Sequence, residues 1–286
     1  MVNIAPISTR FAPSPTGRLH LGHAYAAWLA HDRARAGGGR FLLRMEDIDQ
    51  TRCRPEFDAA IIEDLGWLGI TWDGPVRRQS EHFADYRAAL DRLTGFGVIY
   101  PCFCTRAEIA AEVAASPGAP QGPAGPLYPG TCRALDPARR AARLAEGQDH
   151  ALRLDVGKAM ALVGRPLFWH DEKAGEQQAR PEMLGDVVLA RKETPTSYHL
   201  AVTVDDALQG ITLVTRAIDL FPATHIHRLL QALLDLPVPA YAHHGLVLGE
   251  DGVRLAKRDK ALTLAAMRAA GETPQDLRRR LGLAAC

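Results

Sequence analysis

The stretch RFAPSPTGRLHLGHAYAAWLAHDRARAGGG, residues 10–39, followed at once by RFLLRMEDID, constrains the fold more than any other part of the chain. STRFAP reads as a short strand that runs into a Pro- and Gly-rich turn. Residues 24–36 then carry apolar side chains at helical spacing until AGGG ends the helix. RFLLRMEDID is a second strand closing on acidic residues. Helices follow through PEFDAAIIEDLGWLG, where Pro55 suits a first turn, and through DYRAALDRLTGFG. Strand, helix, strand, helix implies a parallel sheet with crossover helices, whose ligand crevice lies at the carboxyl ends of the strands.

The pattern is then interrupted. Residues 116–130, SPGAPQGPAGPLYPG, read as loop or linker. Strand-like text returns at HALRLDV, at SYHLAVTVDDALQGITLVTRAIDL and at HHGLVLG, so the sheet is expected to be interrupted and resumed. No internal repeat is present. A basic-then-apolar leader and a run of roughly 20 apolar residues are both missing. The expectation is a soluble, unsecreted, cytoplasmic protein with no membrane partner. Five cysteines make an odd set, and Cys102, Cys104 and Cys132 lie close together, which favours a metal over disulfides in an intracellular chain. The net charge of +1 carries no global nucleic-acid footprint. An RNA partner would need local patches, which RALDPARRAAR (residues 133–143) and Arg278, Arg279 and Arg280 could supply. Both runs read equally well as solvated helix faces.

A glycine-bearing turn at a helix N-terminus offers unpaired backbone N–H groups and a positive dipole end, a natural seat for phosphate. His20 and His23 add donors there, and Gly22 leaves room for a flat base or a backbone. Alone, a His-x-x-His at a helix start reads more readily as a cap. Near the other end, GVRLAKRDKA places Lys257 in a short basic loop, where it could neutralise a leaving phosphate or simply be solvated.

Taken in order, RFAPS, PSPTGRLHLGH, LLRMEDID, VDDALQGIT and RLAK resemble the catalytic domain of class I glutamyl-tRNA synthetases over nearly the whole chain. The resemblance implies a Rossmann-type parallel-sheet fold. It implies attack by the glutamate carboxylate on the α-phosphate of ATP, with Mg²⁺ accompanying the nucleotide, then transfer of the acyl group to an RNA hydroxyl. No protein nucleophile is needed, because the work is positioning and stabilisation of charge. Pro13, Gly17, His20, Gly22, His23 and Lys257 are the implied ATP residues, with His20, His23 and Lys257 catalytic. Arg10, Phe11, Ala12, Pro13, Ser14, Glu46, Tyr198 and Arg216 are the implied glutamate residues. Arginine suits the substrate carboxylate because its planar fork can bind bidentately. Read without the family, Glu46 is a strand-end partner of Arg44 and Tyr198 a core aromatic. Two motifs depart from the pattern: RLAK has Arg254 and Ala256 for the usual lysine and serine, and RAIDL has Ala217 for a glycine.

CFC with the later YPGTC matches a short branch of this family, the glutamyl-queuosine tRNA(Asp) synthetases. That likeness implies one structural Zn²⁺ per chain on Cys102, Cys104, Tyr128 and Cys132. Fewer than about 30 residues follow RLAKRDKALTL, too few for a helical anticodon-binding domain. The implied activity is attachment of L-glutamate to queuosine in the anticodon of tRNA(Asp), by a monomer. The implied organisation is a first catalytic half over 1–100, an inserted acceptor-binding-like subdomain with the zinc site over 101–190, a second catalytic half over 191–240, and the lysine loop with a short helical C-terminus over 241–286. Two other readings stand beside it: a truncated glutamyl-tRNA synthetase charging tRNA(Glu), and a noncatalytic synthetase-like sensor of RNA or nucleotide.

Overall fold

A computed structural model describes residues 6–115, 121–123, 125–247 and 263–284. Strand β1 (Thr9–Phe11) is followed by helix α1 (Leu21–Ala36), β2 (Phe41–Met45), α2 (Pro55–Trp67) and the two-residue β3 (Arg77–Arg78). β2 pairs parallel with both β1 and β3. All five residues of β2 are buried, as expected of a strand covered on both faces. Phe41, Leu43 and Met45 join one core with Trp28 of α1 and Leu65 of α2, while Leu42 enters a second core on the opposite face. The same alternation sends Arg44 to the side of Leu42.

α3 (Phe83–Gly95) packs into the second core, and β4 (Ile99–Cys102) then leaves the parallel sheet. The interrupting segment carries α4 (Arg106–Ala115), a small hairpin of β5 (Gln121–Gly122) and β6 (Gly125–Pro126), and α5 (Pro137–Ala145). β7 (Ala151–Leu154), α6 (Val156–Val163), β8 (Phe168–Asp171), β9 (Gly175–Gln178) and β10 (Val188–Ala190) complete it. β4, β7 and β10 form an antiparallel sheet of their own. α7 (Tyr198–Leu208), β11 (Leu213–Ala217), α8 (Ala223–Leu233) and β12 (Ala240–His244) return to the parallel architecture. α9 (Leu264–Ala269) and α10 (Pro274–Arg280) place Leu264, Met267 and Leu277 in the core around Trp28.

β11 and β12 pair parallel over five residues, and β12 meets β8 in parallel at Tyr241 and Asp171. Ser8 bridges the two halves: its carbonyl accepts from Thr212 N at 3.0 Å and Leu213 N at 3.1 Å. Two sheets, β3-β2-β1 and β11-β12-β8 with β9 antiparallel at its edge, thus meet side by side at β1 and β11. The chain runs outward from β1 through β2 to β3 on one side and from β11 to β12 on the other, where the earlier strand β8 adds beyond β12, so a topological switch point lies between β1 and β11.

Three local readings need correction. SYHLAVTVDDAL is not a strand but α7. Its Ser197 caps the helix by accepting from Leu200 N, and Leu200 to Asp206 are buried almost all round, so the apolar run conceals the helical period. Among the described residues of HHGLVLG, only His243 and His244 belong to a strand; the remainder of β12 lies before them. The Pro/Gly-rich segment contains the β5–β6 hairpin and is otherwise irregular where described. No helix among the described residues is long and apolar enough to cross a membrane.

Candidate active site

The carboxyl ends of β1, β11 and β12 open onto a cavity of about 600 Å³, lined among others by Arg10, Phe11, Ala12, Arg216, Ala217 and His244. The first turn of α1 closes one side with His20, Gly22 and His23. Here the capping reading is visible: His20 Nδ1 accepts from Gly22 N at 3.1 Å, and His23 Nδ1 accepts from His20 N at 3.2 Å. An accepting Nδ1 puts the proton of each neutral ring on Nε2, the nitrogen that can donate to a phosphate oxygen. The two roles therefore coexist. A Cβ on Gly22 would stand 3.1 Å from His20 Cε1, so any side chain there would displace that ring. Pro13 and Gly17 lie in the same turn but do not reach the cavity wall; Pro13 instead accepts from Glu46 N at 2.9 Å, tying the turn to the end of β2. Lys257, Arg254 and Ala256 lie outside the described residues.

The two arginines differ in their surroundings. Arg10 donates from Nε to Asp206 Oδ1 at 2.8 Å and from Nη1 to the Thr215 carbonyl at 3.1 Å. Asp206 also takes Arg44 Nη1 at 2.8 Å, and Arg44 reaches Glu46 at 3.3 Å. Neighbouring Asp205 accepts from Arg77, Gln79 and Tyr86. Burial would push the Asp206 carboxyl up, but Arg10 and Arg44 hold it below the usual carboxylate range. VDDA in the middle of an apolar helix is thus explained: buried carboxylates require buried cations. Arg10 arrives in the cavity already charge-balanced.

Arg216 does not. It is 6% exposed, and its four bonds go to neutral groups: Nε to His243 Nε2 at 3.1 Å, Nη1 to Tyr198 Oη at 3.3 Å and His227 Nδ1 at 3.2 Å, and Nη2 to Thr224 Oγ1 at 2.5 Å. Among the described residues it pairs with no carboxylate. Burial and the guanidinium lower His227 well below its ordinary value and push His199 and His243 down to about 4, so the rings around the cation are neutral. Ala217 has φ −71° and ψ 151°, an ordinary extended backbone in which glycine is not required.

Glu46 and Tyr198 line this cavity and also a second one of about 650 Å³, which holds Ser14, Arg52, Tyr128, Arg153 and Arg191. Glu46 does contact Arg44, as the family-free reading expects, and burial pushes its carboxyl up despite Arg44 and Arg10. Ser14 Oγ donates to the Glu46 carbonyl at 2.8 Å. Tyr198 opens α7 and is only partly buried, so it is a wall between cavities, not a core aromatic.

The interrupting segment gathers the second constellation. Ligand atoms of Cys102, Cys104 and Cys132 all lie within 4.8 Å of one another. Tyr128 Oη is 3.4 Å from Cys102 Sγ and 3.7 Å from Cys104 Sγ, and Cys104 Sγ is 3.4 Å from Cys132 Sγ. Three sulfurs and a phenol oxygen converging at such spacing fit a tetrahedral thiophilic ion with bonds of about 2.3 Å to sulfur. Phe103 N donates to Cys132 Sγ at 3.3 Å and helps to hold that thiol below its ordinary value against burial, whereas burial pushes the Cys104 thiol up to about 12 and the Tyr128 phenol up as well; the Arg153 guanidinium lies 3.9 Å over the Tyr128 ring.

Several basic residues singled out for RNA are structurally occupied. Arg133 pairs with Asp186 at 2.8 Å, Arg140 reaches the carbonyls of Cys132, Arg133 and Leu135, and Arg143 lies over Phe103. Arg278 is buried against Asp32 and Trp28, while Arg279 and Arg280 pair with Asp276 and Glu272. The sequence reading passed over Arg191, an exposed residue on the wall of the second cavity. Burial, Arg106 and Arg153 together lower its pKa, the mark of a cation crowded by cations.

Comparison with known proteins agrees with this architecture. A family model described as tRNA synthetases class I (E and Q), catalytic domain, matches residues 6–285. Glutamyl-Q tRNA(Asp) synthetase of Rhodobacter capsulatus is 55% identical over 283 residues, covering 96% of this chain and 99% of that protein. Glutamate–tRNA ligase of Aquifex aeolicus is 40% identical over 276 residues, covering 96% of this chain and 56% of its own. A solved glutamate tRNA ligase from Elizabethkingia meningosepticum, in complex with its amino acid, superposes with a TM-score of 0.72 at 29% identity. That likeness covers 89% of this chain, which spans 52% of the solved one. With a parallel sheet, a cavity at its switch point and a match along almost its entire length, the chain belongs to the class I tRNA synthetases of the E and Q family, catalytic domain.

Proposed function

We propose that the chain activates L-glutamate with ATP and transfers it to queuosine in the anticodon of tRNA(Asp), acting as a cytoplasmic monomer. The amino-acid half rests above all on Arg216, a buried cation without an anionic partner among the described residues, facing a cavity large enough for a small substrate. A desolvated cation is costly until a counter-charge arrives, so the site favours a substrate with a second carboxylate. Tyr198 Oη accepts from Arg216 and keeps its own proton to donate to that carboxylate. Glu46 takes the α-ammonium group, which restores the charge that burial opposes. Arg10, Phe11 and Ala12 line the pocket, and Pro13 and Ser14 support it by tying the turn to the Glu46 backbone at the end of β2.

ATP is assigned to the α1 side of the cavity, with Pro13, Gly17 and Gly22 in the turn and His20 and His23 donating from Nε2. Lys257 is assigned the departing pyrophosphate on its motif alone. An oxygen of the glutamate α-carboxylate attacks the α-phosphorus and the bond to pyrophosphate breaks. A queuosine hydroxyl then attacks the carbonyl of the mixed anhydride and AMP leaves. Mg²⁺ bound with the nucleotide supplies neutralisation of phosphate charge. One Zn²⁺ on Cys102, Cys104, Tyr128 and Cys132 supplies a closed cross-link that stiffens the interrupting segment. The second cavity, which shares Glu46 and Tyr198 with the first, is the place where an acceptor nucleoside can approach the activated carbonyl, with Arg191 facing its phosphates. The organisation proposed is two catalytic halves, 1–100 and 191–240, an inserted zinc-bearing part over 101–190, and the lysine loop and helices over 241–286.

The queuosine half draws on the 55% identical relative that bears the Glutamyl-Q tRNA(Asp) synthetase name. Likeness to Aquifex aeolicus Glutamate–tRNA ligase supports a second reading, charging of tRNA(Glu). Transfer of labelled glutamate to purified tRNA(Asp), with and without queuosine, and to tRNA(Glu) separates them. Acceptance by queuosine-bearing tRNA(Asp) alone is expected; efficient charging of tRNA(Glu) moves the assignment to the second reading. Failure of glutamate to support ATP–pyrophosphate exchange, with and without tRNA, leaves the noncatalytic sensor.

A further inference from the structure

Arg216 is held by an arrangement that the family motifs do not mark. Asp171, at the end of β8, is 1% exposed. Its Oδ1 accepts the backbone N–H groups of Lys173 at 3.0 Å and Ala174 at 2.9 Å. Its Oδ2 accepts His243 N at 3.2 Å and lies 2.7 Å from His243 Nδ1. Four backbone and ring contacts thus fix the carboxylate, and a carboxylate can only accept, so Nδ1 carries the ring proton. The opposite nitrogen, Nε2, is left as an acceptor aimed at Arg216 Nε, 3.1 Å away. The ring is further clamped parallel to Tyr241, with an interplanar angle of 3°, and lies against Phe221.

We propose that His243, oriented by Asp171, is a positioning residue that presents Arg216 to the side-chain carboxylate of the substrate. The inference rests on the glutamate reading above. Its physical point is the interposed imidazole. A carboxylate placed directly on Arg216 would neutralise it, as Asp206 neutralises Arg10, and would compete with the substrate. An imidazole fixes the guanidinium plane with a neutral acceptor and leaves the positive charge for the ligand. Second-sphere partners of this kind commonly set the tautomer and orientation of the group that binds. His227 Nδ1 acts on Nη1 in the same way, with His199 Nδ1 3.2 Å beyond its Nε2. The device also ties the end of the interrupting segment to the amino-acid pocket, since β8 joins the parallel sheet only through β12 and brings Asp171 with it.

The test is glutamate-dependent ATP–pyrophosphate exchange by the full chain, in the presence of tRNA if needed, for wild type, His243→Leu, His243→Gln and Asp171→Asn. His243→Leu is expected to raise the glutamate KM by about 10- to 100-fold, the weight of a hydrogen bond to a charged group, with kcat changed less than about threefold. The preference for glutamate over glutamine should fall with it. His243→Gln, whose amide oxygen can accept from Arg216 Nε, should recover most of both. A purely structural role would lower active-enzyme concentration, and hence apparent kcat, without moving KM or the preference. Imidazole ¹⁵N spectra of the wild type read the device independently of activity and of variant folding: the Nδ1–H tautomer of His243 is expected. The Nε2–H tautomer, or a wild-type KM and preference in a folded His243→Leu, overturns the inference. Absence of glutamate-dependent exchange in the wild type would instead defeat the parent reading, while the tautomer measurement still decides the geometry.

Discussion

Replacing Arg216 by alanine removes the one cation in the cavity that carries no internal counter-charge among the described residues. Truncating one partner of a desolvated, hydrogen-bonded charge pair costs on the order of 2–5 kcal/mol. At about 1.4 kcal/mol per factor of ten, this is a loss of roughly 30- to 4000-fold in kcat/KM for glutamate. The loss is expected in substrate recognition, because Arg216 makes no ion pair among the described residues and its partners are Tyr198, Thr224, His227 and His243. Removing its charge also relieves a desolvation penalty, which offsets the four hydrogen bonds lost. The melting temperature of the free protein should therefore shift little, whereas the rise that saturating glutamate produces in the wild type should vanish. Pyrophosphate exchange across a glutamate series, with glutamine and aspartate as competitors, measures the first quantity; calorimetry with and without glutamate measures the second. A glutamate KM near wild type in folded Arg216→Ala would refute the role of this arginine, and equal use of glutamine by the wild type would refute the pocket.

Purified protein should carry about one zinc per chain; chelation should lower the melting temperature and loosen the interrupting segment, and metal-free protein prepared without chelators would contradict the four-ligand site. Charge reversal at Arg191 should weaken RNA transfer and its salt dependence while sparing glutamate activation, and an equal loss of both would remove this residue from the RNA surface. The buried histidines give a signed pH effect. His199 stays neutral in the folded chain down to about 4 but takes up a proton below about 6.5 when unfolded, so the unfolded state binds more protons in that window and stability falls as pH drops through it. Asp64, pushed up to about 6 by burial, acts in the opposite direction from about 6 downward, so the histidine contribution must be read by difference. Stability of His199→Gln should fall less steeply than wild type between pH 6.5 and 4, by about 1.4 kcal/mol per unit for one proton, and parallel slopes would contradict a buried neutral ring.

The alternating text of residues 8–95 made β1, α1, β2, α2 and α3 legible, because each element there has its own period and its own punctuation. The later half was less so. α7 is apolar on nearly all faces, and a helix buried all round loses the amphipathic signal by which it would be recognised. Candidate site residues separated by up to about 200 positions could be gathered only through resemblance, since spacing within the chain does not report the contact between Arg10 and Asp206. VDDA did carry a local clue, two carboxylates inside an apolar run, which should have predicted buried cations. Asp171, His227 and His243 carried none: each is ordinary in its own segment and acquires its role from three elements meeting behind Arg216. Arginine density was a weak guide to surface charge for a related reason. Density of arginine in the sequence does not distinguish a side chain tied to carbonyls, as Arg140 is, from one crowded by other cations, as Arg191 is.

The central claim is that glutamate is delivered to a base in the anticodon and not to the end of the tRNA. It is tested most directly by locating the label. Queuosine-bearing tRNA(Asp) glutamylated with radioactive glutamate is cut on either side of the anticodon loop, and the fragments are counted. The account predicts that the label remains with the anticodon fragment, that prior removal of the 3′-terminal nucleoside leaves the yield unchanged, and that tRNA(Asp) lacking queuosine takes up none. Label confined to the 3′-terminal fragment, lost when the terminal adenosine is trimmed, would contradict it.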